Sequence, residues 1–325
     1  MLKAIAITGP TASGKTAISL ALAKSLSAEI ISCDSMQIYK GMDIGTAKAT
    51  PKEREEAPHH MIDFISPTED YSAEEYRSAA LKVAGEITAR GALPLFVGGT
   101  GLYVDALMRA PMTAVPESSR EYRDAAMEKI KDESDVIALW ERLRSVDPES
   151  AEAIHRNNVR RVIRALEIYD KTGKTKSHFD KMSRLKSPDI EIGMITLDFH
   201  DRDTLYARVD SRVDEMIKEG LVDEVRRLYD SGLLIDGSTA SQAIGYKEML
   251  LYIKGESTLS EAVELIKLST RRYAKRQLTW FRHEVGAYRL FVDREDGSLR
   301  SKDGLISESI SYANQFLKEF SSNEG

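Results

Sequence analysis

The chain has 325 residues, with 46 Lys+Arg against 52 Asp+Glu for a net charge of −6, and a single cysteine. That length suits one large core or a core with a smaller insert, and the acidic balance gives no compositional sign of a nucleic-acid partner, so any such partner must be met by a local patch. A lone Cys33 excludes intrachain disulfides and cysteine-built zinc sites, no apolar run approaches membrane-spanning length, and the first residues enter a strand without a leader pattern; the expectation is a soluble, cytoplasmic protein with no membrane partner.

The apolar run Ala4 to Ile7 leads into Gly9-Pro10-Thr11-Ala12-Ser13-Gly14-Lys15-Thr16, which opens into a helix over Ala17 to Leu26. This is the phosphate-cradling pattern G-x-x-x-x-G-K-[ST]. A buried strand turning sharply into a helix lets consecutive backbone N–H groups face inward as an anion nest, and the helix N-terminus adds its own free donors. Lys15 brings a mobile charge for the outer phosphate, and Thr16 a hydroxyl able to ligate a magnesium ion (Mg2+) held against the same phosphates. The motif leaves ATP, GTP and an organic diphosphate open as ligands.

Glu29 to Cys33 is a short buried-strand pattern that stops at Asp34, so an ionisable residue stands at the carboxyl end of a strand, where open parallel sheets carry their ligand crevice. Lys40 to Pro58 reads as a long loop with a helical turn at Pro51 to Glu56, and His59 to Ile65 as another strand. Ser72-Ala-Glu-Glu75 has capping-box spacing and starts an amphipathic helix that runs to about Arg90. Leu93 to Val97 is a buried strand entering Gly98-Gly-Thr-Gly101, with a helix from about Leu102. Strand and helix alternate throughout, which predicts a doubly wound α/β core with a parallel sheet.

The pattern changes at the proline-marked connector Ala110 to Pro116, and from Ser119 to about Arg184 only helical periodicity is found. Ile190 to Asp198 restores strand character. Helices follow at Arg202 to Glu219, Leu221 to Tyr229, Ser241 to Ile253 and Ser260 to Arg282, then an edge strand within Glu284 to Asp293 and a helix from Lys302. The expected domains are a catalytic core of residues 1–114 and 190–325 and an all-helical insertion of residues 115–189.

Two clusters supply the local patch. Arg156 to Lys186 holds ten Lys or Arg against three acids, and Arg271 to Arg282 holds five basic residues, three aromatics and no acid. Basic charge for the backbone with rings for stacking is what loop or single-stranded RNA recognition demands, although a solvated helix face with Trp280 and Phe281 in the core explains the second cluster equally well. Among the acids, Asp34 is best placed. Asp198, ending Thr196-Leu-Asp198, is the candidate for the metal-binding strand-end acid of a kinase. His59 and His60 read as structural, Cys33 as a small buried side chain. Arg208 and Arg212, one helical turn apart, reach a diphosphate or form a solvated face.

Seven segments in order then carry a resemblance: Gly9 to Thr16, Asp34-Ser-Met-Gln-Ile-Tyr39, Asp43-Ile-Gly-Thr-Ala-Lys48, Pro58-His-His-Met-Ile-Asp63, Gly98-Gly-Thr-Gly-Leu-Tyr103, Arg161 to Glu167, and Ala274-Lys-Arg-Gln-Leu-Thr-Trp280. Together they resemble the tRNA dimethylallyltransferase (isopentenyltransferase) family. The resemblance implies a P-loop NTPase-like core and a monomer that moves the dimethylallyl group of dimethylallyl diphosphate to N6 of the adenosine 3′ of the tRNA anticodon. It implies that Lys15, Asp34 and Thr100 act at the reacting centre. Ser35, Met36 and Gln37 would line the adenine pocket, and Arg123 with Arg160, Arg161, Val162, Ile163 and Arg164 would grip the anticodon stem-loop. Arg160 stands where the family usually has Gln, and Ala49 where it usually has Pro; the first keeps a phosphate contact but weakens a base-specific one. A small-molecule or nucleoside kinase, and an NTP-switched RNA-binding module, are the alternatives.

Overall fold

The computed structural model describes residues 1–109, 119–183, 187–284 and 286–322. In chain order the first half runs β1 (Leu2–Thr8), α1 (Lys15–Leu26), β2 (Ala28–Ser32), α2 (Pro51–Glu56), β3 (His59–His60), α3 (Ala73–Ala89), β4 (Leu93–Val97) and α4 (Gly101–Met108). Five helices follow: α5 (Arg120–Glu128), α6 (Glu133–Val146), α7 (Pro148–Ala153), α8 (Val159–Thr172) and α9 (Lys176–Ser183). Then come β5 (Ile190–Asp198), α10 (Arg202–Glu219), α11 (Leu221–Asp230), a 3-10 turn (Ala240–Gln242), α12 (Tyr246–Ile253), α13 (Leu259–Arg282), β6 (Tyr288–Phe291) and α14 (Lys302–Ser322).

The six strands form one parallel sheet in the order β3-β2-β4-β1-β5-β6. Strands covered on both faces read as continuous apolar runs. Accordingly Ala4, Ile5 and Ile7 of β1, Leu95 of β4, and Ile195 and Leu197 of β5 are almost fully buried. Packed against them from the helices are Ile18 and Leu22 of α1, Val209 of α10, Leu278 of α13 and Ala313 of α14. A second apolar cluster joins Ile38, Tyr39 and Met42 to Val213, Leu221, Val225, Tyr246 and Ile266. It carries the loop after β2, which Glu224 clamps by accepting from the backbone N–H groups of Asp43 (3.0 Å), Ile44 (2.8 Å) and Gly45 (3.1 Å).

The chain divides into two compact units, residues 1–107 with 189–325 and residues 108–188. The connector expected at Ala110 to Pro116, the domain edge at residue 114, and Arg184 and Lys186 of the basic stretch lie outside the described residues. Within the helical unit, Leu143, Ala151, Ile154, Val162 and Leu166 form the core, and Trp140 Nε1 donates to the Ile154 carbonyl at 3.0 Å.

Two expectations need correction. The strand expected over His59 to Ile65 lasts only two residues, because Met61 (φ 60°) and Asp63 (φ 56°) turn into the left-handed region. The backbone N–H of Asp63 and of Phe64 then donates to the Gln37 and Ile38 carbonyls at 3.1 and 3.0 Å, so the segment folds onto the loop after β2. The helix expected over Ser241 to Ile253 is interrupted at Gly245 (φ 95°), and α12 proper starts at Tyr246.

Candidate active site

The register fixes the site. Ile7 of β1 and Ser32 of β2 both pair with Val97 of β4, so the residues following all three strands leave the sheet at the same carboxyl edge. Those residues are the Gly9–Thr16 loop, Asp34 and the Gly98–Thr100 turn. They surround a cavity of about 370 Å³, lined by Thr11 to Thr16, Asp34 to Gln37, Arg212 and the α13 face around Tyr273. Asp34 and Lys15 therefore share one cavity.

In the loop, Gly14 adopts φ 95°, which an L side chain tolerates poorly, and α1 starts at the next residue. Ser13 is 2% exposed, and its Oγ is a buried oxygen without a hydrogen-bond partner among the described residues. A buried hydroxyl left unpaired is costly and calls for a polar occupant. Gly9 and Pro10 stand behind the lining, their carbonyls accepting from Lys15 Nζ at 3.0 and 2.6 Å. Burial, with Arg212 adding to it and Asp34 opposing, lowers the Lys15 ammonium to about 7. Thr16 is exposed at the cavity wall.

On the opposite wall, Asp34 is half-buried and its Oδ1 accepts from the Met36 N–H at 2.9 Å, so one oxygen shapes its own loop. No hydrogen bond reaches its other oxygen among the described residues. Gln37 accepts from Ser32 Oγ at 2.9 Å and donates to the Thr46 and Ala47 carbonyls at 3.2 and 3.3 Å, which anchors the neighbouring wall. Thr100 stands just outside the lining: its Oγ1 accepts from the Ser35 N–H at 3.0 Å and lies 3.3 Å from Ser35 Oγ. Burial and the Asp34 carboxylate push the Tyr273 phenol up to about 12, so it remains a donor in the cavity.

Among the other candidates, Asp198 departs from expectation, whereas His59, His60 and Cys33 do not. Asp198 is not free for a metal: Arg282 Nε and Nη2 donate to its carboxylate at 2.9 and 2.6 Å. Arg271 is paired with Asp210 at 2.6 Å and Phe281 is 1% exposed, so much of the 271–282 cluster is structural, while Tyr273, Arg276 and Gln277 face the cavity and Trp280 is 38% exposed. His59 Nδ1 lies 2.8 Å from the Ala57 carbonyl and His60 Nε2 lies 2.7 Å from Glu29, both in structural roles. Cys33 is buried against the Tyr76 hydroxyl at 2.8 Å, and burial pushes its thiol up to about 12, far from thiolate chemistry. Arg208 and Arg212, which the sequence leaves between a diphosphate contact and a solvated face, both stand at the nest. Arg208 Nε donates to the Ala12 carbonyl at 2.8 Å, Arg212 lines the cavity, and burial lowers both. Their spacing of four on α10 was the available signal.

In the helical unit, Arg160 and Arg161 are exposed, with no side-chain hydrogen bond or ion pair among the described residues, whereas Val162 and Ile163 are 0% and 1% exposed. The period of α8 turns those two side chains into the core of the helical unit. Arg164 and Lys171 hold the fully buried Glu167 at 2.7 and 2.8 Å, and the Ser119 N–H donates to it at 2.6 Å. Burial opposes the Glu167 charge, but those three donors outweigh it and keep its carboxyl below the usual range. Arg123 is half-buried, with an unpaired Nε among the described residues.

Comparison with known proteins identifies the family. A model described as IPP transferase matches residues 37–284, and one described as isopentenyl transferase matches residues 2–64. The chain is 48% identical over 296 residues to a tRNA dimethylallyltransferase of Thermoanaerobacter sp. (strain X514), covering 90% of this chain and 92% of that one. To that of Geobacillus thermodenitrificans it is 50% identical over 283 residues, 87% and 88% of the two chains. Among solved structures, the full-length tRNA isopentenylpyrophosphate transferase from Bacillus halodurans superposes with TM-score 0.72 at 41% identity over 100% of this chain and 99% of that one. A eukaryotic dimethylallyltransferase acting on tRNA superposes with TM-score 0.74 at 31% identity over 90% and 74%. The sheet and its anion nest are thus a P-loop NTPase-like core.

Proposed function

The chain belongs to the IPP transferase family, and from that premise we propose that it transfers the dimethylallyl group of dimethylallyl diphosphate to N6 of the adenosine 3′ of a tRNA anticodon, releasing diphosphate. One observation carries the reading: an anion nest with an unpaired buried hydroxyl and an aspartate with an uncommitted oxygen open onto the same cavity.

An adenine amine is a poor nucleophile because its lone pair is delocalised into the ring, and it must lose a proton as the C–N bond forms. Asp34 accepts the N6–H hydrogen bond, which both orients the lone pair and receives the proton. The leaving diphosphate gathers negative charge, met by the backbone nest, Ser13, Lys15 and Arg212. Ser35, Met36 and Gln37 wall the purine, and Thr100 steadies Ser35. An unpaired anticodon-loop base reaches such a pocket for about a few kcal/mol of unstacking at most. Enclosure matters because water would otherwise capture the allylic carbon.

The donor set suits Mg2+ held chiefly by the diphosphate. Thr16 offers a hydroxyl at the cavity wall, while no group of three or more His, Cys, Asp or Glu that could hold a metal occurs among the described residues. A small cation that keeps its waters and takes phosphate oxygens needs no more, and when bound it neutralises the departing charge. With Asp198 committed to Arg282, the kinase reading lacks its metal-binding acid.

Digesting enzyme-treated tRNA to nucleosides should yield N6-(dimethylallyl)adenosine; ATP turnover without that nucleoside would refute the transferase reading. In the tRNA-binding role, Arg160 and Arg161 are the exposed arginines of α8. Replacing both with glutamine should weaken tRNA binding and flatten the slope of log K against log salt by about 1.5 to 2. An unchanged slope in filter-binding titrations would locate the grip elsewhere.

A further inference from the structure

We infer that Gln277 is a positioning residue that sets the span between the anion nest and the Asp34 loop. Its side chain is 5% exposed, at the C-terminal end of the cavity face of α13. Gln277 Oε1 accepts from the Thr11 N–H at 2.9 Å, and Nε2 donates to the Gly99 carbonyl at 2.8 Å. From Gly99 the path continues through Thr100: its N–H donates to the Cys33 carbonyl at 3.1 Å, and its Oγ1 accepts from the Ser35 N–H at 3.0 Å. One amide therefore joins the loop that holds the leaving group to the loops that hold the attacking amine.

Glutamine is chemically specific here, because the site needs an acceptor and a donor on a single planar end. The fit is close: a Cβ on Gly99 would lie 2.2 Å from Gln277 Nε2, so the carbonyl approaches only because that residue is glycine. The helix carrying the brace is itself fastened, with Arg271 bonded to Asp210 and Arg282 to Asp198, both at 2.6 Å. A displacement transfer depends on the separation of nucleophile and leaving group, and an error of about 1 Å costs on the order of 10² in rate.

The inference rests on the proposed reaction and is tested with two variants of the full chain. Gln277→Met keeps the volume and removes both hydrogen bonds. Gln277→Glu keeps the acceptor toward Thr11 but sets a carboxylate oxygen against the Gly99 carbonyl, a repulsion that vanishes when the carboxyl is protonated and donates instead. Single-turnover prenyl transfer at saturating dimethylallyl diphosphate should fall about 10- to 100-fold at pH 8 in both. The Gln277→Glu deficit should shrink as pH drops toward the carboxyl's pKa, which burial and the facing carbonyl raise above about 4.3. The Gln277→Met deficit should stay level. Lys15, Asp34, His59, Arg212, Tyr273 and Arg276 line the same cavity, and the Gln277→Met series serves as the control for them.

Parent-like rates in either variant, a Gln277→Glu ratio that ignores pH, or a loss confined to KM for dimethylallyl diphosphate would each overturn the positioning role. So would unfolding of both variants by circular dichroism, which would make Gln277 merely structural. If the parent itself forms no prenylated nucleoside, the proposed reaction fails. Calorimetry with inorganic pyrophosphate still reads the brace, with affinity about tenfold weaker in both variants and restored by acid only in Gln277→Glu; equal affinities across the three proteins would end the inference.

Discussion

Replacing Asp34 with alanine will lower the rate of the chemical step by about 10² to 10⁴, the range of a positioned proton acceptor, while tRNA affinity stays close to that of the parent. The separation of the two effects follows from the geometry. Asp34 sits at the end of a strand, half-buried, and spends one oxygen on its own loop at Met36; in the proposed complex it meets a single amine of a large RNA. Loss of that carboxylate removes the group that draws the proton from N6 but leaves the nest and the exposed arginines of α8 untouched. Rapid-quench single-turnover measurement beside filter binding distinguishes the two. A parent-like rate would remove Asp34 from the chemistry, and a collapse of tRNA binding with the rate constant intact at saturating RNA would make it a binding residue.

What the sequence made readable was whatever the chain specifies locally. The Gly9–Thr16 pattern dictates its own turn, and Asp34 is marked by a strand that stops at it. Sheet order is not local. That β1 lies between β4 and β5 depends on strands separated by about ninety and two hundred residues, so the shared cavity was an expectation until Ile7, Ser32 and Val97 were seen to align. For the same reason the sequence leaves Arg212 between a diphosphate contact and a solvated face, and assigns Gln277 no role of its own. Each looks ordinary in its own helix and gains its role only when α10 and α13 pack beside the nest. At Val162 and Ile163 the 3.6-residue period was legible locally, and it sends their side chains inward while Arg160 and Arg161 stay exposed. Asp198 shows how a plausible strand-end acid is claimed by a partner 84 residues away in sequence.

Lys15→Ala should weaken dimethylallyl diphosphate use by roughly 2–5 kcal/mol, the range for truncating one partner of a buried charge pair. The pH dependence gives the sharper test. In the ligand-free protein, burial and Arg212 lower the ammonium to about 7. A bound diphosphate places negative charge beside it and raises that value, so above pH 7 binding must take up a proton. Affinity is therefore fully present below about 7 and falls as pH rises, by about tenfold per unit, until the pH reaches the pKa of the complex. The alanine variant has no such group, and dividing parent by variant affinities cancels the ligand's own titration. A ratio that stays flat between pH 6 and 9 would mean that Lys15 remains bonded to the Gly9 and Pro10 carbonyls, where its ammonium now lies, and never turns to the diphosphate. A ratio that declines through that interval would tie the leaving group to this one lysine, because Arg208 and Arg212 keep their charge throughout.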